Sequence, residues 1–140
     1  MALAPTEAGT HAALAAVLSD MGRTEDALEP AAQALRLKSE VADDSLGVVG
    51  AVYAVAGRYE EALAPLQRCL SRYPNSLPEH LTLAVVYIES GKEAEARAEA
   101  AEVLRINPKF SLEIHRQRTP IKDPAVLDRH IAALRKAGLK

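Results

Sequence analysis

The sequence predicts an all-α fold: a solenoid of three helix-turn-helix repeats, closed by C-terminal capping helices. Two observations carry that prediction. The first is a repeat in the small residues, because Gly22, Gly57 and Gly91 stand 35 and 34 residues apart. Each is followed five residues later by an alanine (Ala27, Ala62, Ala96) and preceded by seven by another small residue (Ala15, Gly50, Ala84). The second is composition. Apolar residues make up 49% of the chain and aromatics only 4%, with alanine dominant. Alanine is the best helix former and lets helices pack closely. A length of 140 residues suits a single domain spanning 1–140.

The repeated phrase has a physical grammar. Glycine supplies the left-handed backbone that ends a first helix. Acidic residues then open a second helix near its positive dipole end: Glu25 and Asp26, Glu60 and Glu61, Glu93 and Glu95. The small pairs mark where the two helices cross closely, Gly50 with Ala62 being one. Pro74 and Pro108 stop the second helix of the second and third repeats. Helices are expected near 8–21, 24–37, 43–56, 59–72, 77–90 and 93–105. Pro30 and Pro65 fall at equivalent places inside the second helices, where a kink or a lost ladder bond is expected.

A period near 34 with this layout resembles the tetratricopeptide repeat. Residues 43–76 fit best, through Val49-Gly50, Tyr53, Gly57, Tyr59, Ala62, Leu66 and Pro74. Residues 77–110 carry Leu83-Ala84, Tyr87, Gly91, Ala96 and Pro108. Residues 8–41 carry Leu14-Ala15, Gly22, Ala27 and Ala34, with Leu18 in place of the aromatic and Ser39 in place of the closing proline. The resemblance implies a superhelix whose first helices line a concave binding face.

Beyond residue 105 the pattern changes. Asn107, Pro108, Pro120 and Pro124 break it, leaving a short helix near 111–118 and a final one over 124–137. Asp123-Pro124 is a strong helix start, with Asp as N-cap and Pro at the first helical position. Leu127, Ile131 and Leu134 form a stripe that should pack on the last repeat as a cap. This tail resembles the end of the tetratricopeptide regions of bacterial class III adenylate/guanylate cyclase-like proteins. The match rests on Asn107-Pro108, Phe110-Ser111-Leu112, Pro120, Lys122-Asp123-Pro124 and the closing Leu134–Leu139 stretch. It implies a non-catalytic C-terminal part of a larger signalling protein, and the chain reads as a piece of one.

Chemistry is scarce. One cysteine excludes an internal disulfide and suits a reducing, cytoplasmic setting. Cys69 stands where Ala34 stands in the first repeat and reads as a small buried residue. His11 and His80 occupy equivalent positions and read as core fillers, and Tyr53 and Tyr87 read as packing residues between helices. His115 and His130 lack metal-ligand spacing such as HExxH. Phosphate loops and CxxC pairs are absent. The sequence therefore implies no enzyme, no cofactor, no metal and no small-molecule substrate.

Binding remains. The repeat resemblance places Ala12, Ala16, Ala51, Val55, Leu81, Val85 and Ile88 on the concave face, an uncharged stripe suited to an apolar helix. That helix comes from a partner or from a second copy of the chain. The charges at such positions are acidic: Asp20, Asp44 and Glu89. The Lys, Asn and Arg set with which family members clasp a C-terminal carboxylate is absent there. The structural positions of the repeats are Ala15, Gly22, Ala27, Gly50, Gly57, Ala62, Ala84, Gly91 and Ala96. A second reading is a nucleic-acid adaptor, because residues 105–140 hold nine Lys/Arg against three Asp/Glu. Against it stand the acidic repeats, with eight against sixteen over 1–104, and a net charge of −2. No run of 18 apolar residues exists, so no membrane insertion is expected.

Overall fold

A computed structural model describes residues 7–37 and 43–140. The expectations about Ser39 and about the side chain of Asp44 lie outside the described residues. The described chain is α-helical and contains no strand. Three antiparallel pairs come first: α1 (Glu7–Asp20) with α2 (Thr24–Arg36), α3 (Asp43–Val55) with α4 (Tyr59–Arg72), and α5 (Leu77–Glu89) with α6 (Glu93–Ile106). Two tail helices follow, α7 (Leu112–Arg118) and α8 (Pro124–Lys136).

The turns work as the glycine spacing requires. Gly22, Gly57 and Gly91 take φ of 81°, 79° and 77°. After each, the next backbone N–H reaches back to the helix: Arg23 to the Leu18 carbonyl at 2.9 Å, Arg58 to Tyr53 at 2.8 Å, and Lys92 to Tyr87 at 2.7 Å. This closes carbonyls that the helix end leaves unpaired. Gly138 repeats the device after α8, with Leu139 N–H donating to Leu134 at 3.1 Å. Leu134 and Leu139 are both buried, supplying the apolar contact that accompanies this cap.

The close crossing lies at Gly50. A β-carbon there would stand 2.5 Å from Leu66 Cγ and 3.3 Å from the Ala62 carbonyl. Pro30 and Pro65 are each the seventh residue of their helix, both buried, and α2 and α4 continue past them. Having no N–H, each leaves the carbonyl four residues back, at Asp26 or Glu61, without its usual ladder partner.

Helix α5 belongs to two cores. Leu83 and Val86 join the cluster built from α1 to α4, around Ala15, Ala27, Val49, Tyr53, Ala62 and Leu66. Leu81 and Ala84 join a second cluster with Ala96, Ala100, Val103, Leu112, Ile131 and Leu134. The α8 stripe thus covers the far side of the third repeat. Ser111 and Asp123 cap the tail helices. Ser111 Oγ accepts from Ile114 N–H at 3.4 Å, and Asp123 Oδ1 from Ala125 N–H at 2.9 Å.

Candidate binding groove

The face of α1, α3 and α5 that looks away from the second helices carries a groove of about 500 Å³. Its apolar walls include Ala16, Val48, Ala51, Val55, Leu81 and Val85. Five of the seven residues expected on the concave stripe therefore meet in one place: Ala16, Ala51, Val55, Leu81 and Val85.

Two do not. Ala12 is 2% exposed and lies in the first core cluster. Ile88 packs with the second cluster, alongside Leu127. For Ala12 the reason is helical geometry. A step of four residues advances 400°, so residues spaced by four drift about 40° around the axis each turn. Moving back one turn from Ala16 carries Ala12 toward the core. The same drift sinks Leu81 relative to Val85, leaving it only 4% exposed. Gly47, also on the expected face, is buried. A β-carbon there would stand 3.0 Å from Cys69 Sγ and would crowd the Glu79 carboxylate.

The sequence did not reveal that the tail would supply a wall of the groove. His115 and Arg118 of α7, the extended Thr119-Pro120-Ile121 and Val126, Arg129 and His130 of α8 all line it. Arg129 ties this wall to the repeats. Its Nη2 donates to Glu89 Oε2 at 3.1 Å and to the Tyr59 hydroxyl at 3.3 Å. Burial holds the Asp20 carboxyl above its usual range, and the Lys122 charge opposes that shift.

His115 and His130 meet although 15 residues separate them. Their Nε2 atoms are 2.9 Å apart and the ring centroids 5.1 Å apart. Burial lowers the His115 pKa below the ordinary histidine value. Burial, assisted by the charge His115 would carry, lowers that of His130 to about 4. Both rings are therefore neutral at pH 7, and one Nε2–H donates to the other bare Nε2. Phe110 packs against His115 with centroids 5.7 Å apart. No local spacing could have announced this pair.

The other candidates have structural places. His80 is 7% exposed, and its Nε2 donates to the Pro74 carbonyl at 2.7 Å. Its Nδ1 stands 2.6 Å from Glu99 Oε2, within hydrogen-bond distance of that carboxylate. His80 thus fills the core as expected, and it also joins α5 to α6. Cys69 is buried. Tyr53 is buried, and Tyr87 accepts a hydrogen bond from Gln67 Nε2 at 3.3 Å. Among the described residues no three His, Cys, Asp or Glu side chains gather as metal ligands, and no helix is long and apolar enough to cross a membrane.

The architecture is an all-α helical-repeat solenoid. The tetratricopeptide repeat family model matches residues 55–116, the segment running from the end of α3 through α6 into α7. Among solved structures, the crystal structure of MamA resembles the chain with a TM-score of 0.65 at 18% identity, over 93% of this chain and 75% of that one. At that identity the likeness concerns the fold. Among curated proteins no sequence matches. Tetratricopeptide repeats generally mediate protein–protein contacts and typically serve as non-catalytic scaffolds.

Proposed function

We propose that this chain is a non-catalytic protein-interaction module whose concave groove receives one apolar face of a partner helix. The observation that carries this reading is the groove itself, with apolar side chains from the first helix of all three repeats converging on one face. A helix with side chains is 10–12 Å across and rises 5.4 Å per turn, so one turn fills roughly 400–600 Å³. The groove of about 500 Å³ therefore holds a single turn while the tail is in place. Burying about 300 Å² of apolar surface would give roughly 7 kcal/mol gross, against an association cost on the order of 4–15 kcal/mol. Such a contact is weak and switchable unless the partner covers more. A second copy of the chain is one source of the helix.

The tail's resemblance to cyclase-like proteins gives this module a context, as a regulatory or oligomerising C-terminal part of a signalling protein in the cytoplasm. The nucleic-acid reading is weaker. Several tail cations are already engaged with acids, Arg116 with Asp128 and Arg129 with Glu89.

The test is Val48→Glu, at a groove position 38% exposed and so dispensable for folding. Sedimentation velocity should show any self-association abolished, and crosslinks from the groove to captured partners should disappear. Unchanged assembly and unchanged crosslinks would overturn the groove reading.

A further inference from the structure

We propose that the tail-walled groove is also a site for a small apolar carboxylate, seated with its acid group against Arg118. This goes beyond the partner reading and does not depend on it.

Size is the first argument. Sites for small molecules are mostly apolar clefts of roughly 300–1,000 Å³ with a few converging polar groups. The groove, at about 500 Å³, falls within that range, and residues of the tail line part of it. Apolar walls from α1, α3 and α5 face the polar side chains of α7 and α8 across it.

Charge is the second argument, and it selects the ligand. Four charged side chains line the groove: Asp20, Glu89, Arg118 and Arg129. Glu89 is engaged by Arg129 at 3.1 Å. Asp20 faces Lys122. Arg118 remains. Its guanidinium makes no hydrogen bond or ion pair with another described residue, unlike Arg116 one turn-half earlier, which reaches Asp128 at 3.1 Å. Guanidinium groups bind carboxylates through paired, charge-assisted hydrogen bonds. An apolar amine is disfavoured, because the Lys122 charge already acts on Asp20, the lining carboxyl that Arg129 does not engage. The His115–His130 pair adds polarity without competing for the acid, since each Nε2 is occupied by the other.

Occupancy would exclude the single helical turn that the groove can otherwise hold. Where the groove also receives a partner helix, as proposed above, the carboxylate would compete with it; carboxylate binding itself does not require that partner.

The probe is octanoate, used well below its micelle concentration, with octanol and octylamine as controls. Binding to the full chain is followed by calorimetry and by amide shifts in NMR. Saturable one-to-one binding is expected, with shifts centred on Val48, Ala51, Val85 and Ile121. Octanol and octylamine should bind at least about tenfold more weakly, and Arg118→Gln should lose a similar factor for octanoate, as one charge-assisted contact does. Arg118→Lys should recover part of the loss. Absence of saturation, equal affinity for octanol, an unaffected Arg118→Gln variant, or shifts lying outside the groove would each overturn the proposal. None of these outcomes touches the Val48→Glu test of partner binding, so the two readings fail separately.

Discussion

Arg129 Nη2 lies 3.1 Å from Glu89 Oε2, joining the middle of α8 to the end of α5, and the same nitrogen reaches the Tyr59 hydroxyl at the start of α4. One tail side chain thus spans two repeats. The pair is exposed on the arginine side, so its contribution should be small. Arg129→Ala is expected to cost within about 1 kcal/mol. A double-mutant cycle with Glu89→Gln, read from urea unfolding, should return a coupling below that figure and shrinking with added salt. A coupling of several kcal/mol would mean that the tie is shielded from solvent.

The two kinds of glycine should respond differently to alanine. At Gly50 the new methyl meets Leu66, which is fully buried, so Gly50→Ala should cost about 1–3 kcal/mol through overpacking. At Gly57 a β-carbon touches nothing within 4 Å, and only the left-handed backbone objects, at about 1–2 kcal/mol. Trimming Leu66 to Val should recover part of the Gly50 loss and none of the Gly57 loss. Equal behaviour of the two would remove the distinction.

Acid should loosen the tail through the histidine pair. Both rings have folded pKa values below the unfolded value of about 6.5, so the unfolded chain binds more protons as the pH falls. Their contribution is therefore undiminished above pH 6.5. It declines as the pH falls toward about 4, the folded value of His130, and levels off below that. His115→Gln with His130→Gln should flatten this part of the stability profile. The opening of α7 and α8, read from hydrogen exchange divided by the intrinsic amide rate at each pH, should increase with acid in the wild type and not in the double variant.

The cap reading concerns Leu134, fully buried among α5, α6 and α8 residues. Leu134→Ala should cost about 2–5 kcal/mol. Deleting residues 120–140 would uncover Leu81, Ala84 and Val103 together and should cause aggregation or a large fall in Tm. A monomeric, equally stable shortened chain would show that the third repeat does not need its cover.

How much was legible in the sequence follows from the range of each interaction. Gly57, Gly50 and Ala62 announce their roles through backbone handedness and close approach, which are set within one repeat. Asp123-Pro124 announces the α8 start because a cap acts over three residues. The groove was half legible. Ala16, Ala51, Val55, Leu81 and Val85 follow from repeat position, whereas Ala12 turns into the core through the drift of a four-residue spacing and Ile88 packs on the second cluster. The tail wall was illegible. His115 meets His130, and Arg129 meets Glu89, only because α8 folds back onto α5, and no local pattern encodes that return.

The glycine turns carry a last consequence, one of chirality. Gly22, Gly57 and Gly91 hold φ near 80°, are exposed, and have open space where an L side chain would go. What bars an ordinary residue there is therefore handedness and not room. A D-amino acid has the mirror-image preference, and these angles are its relaxed state. Semisynthetic chains with D-alanine at these three positions should fold to the same solenoid with higher melting temperatures. The gain would come from the unfolded chain, which has fewer conformations to lose, at about 0.4–1 kcal/mol per site. L-alanine at the same positions should move the melting temperature the other way.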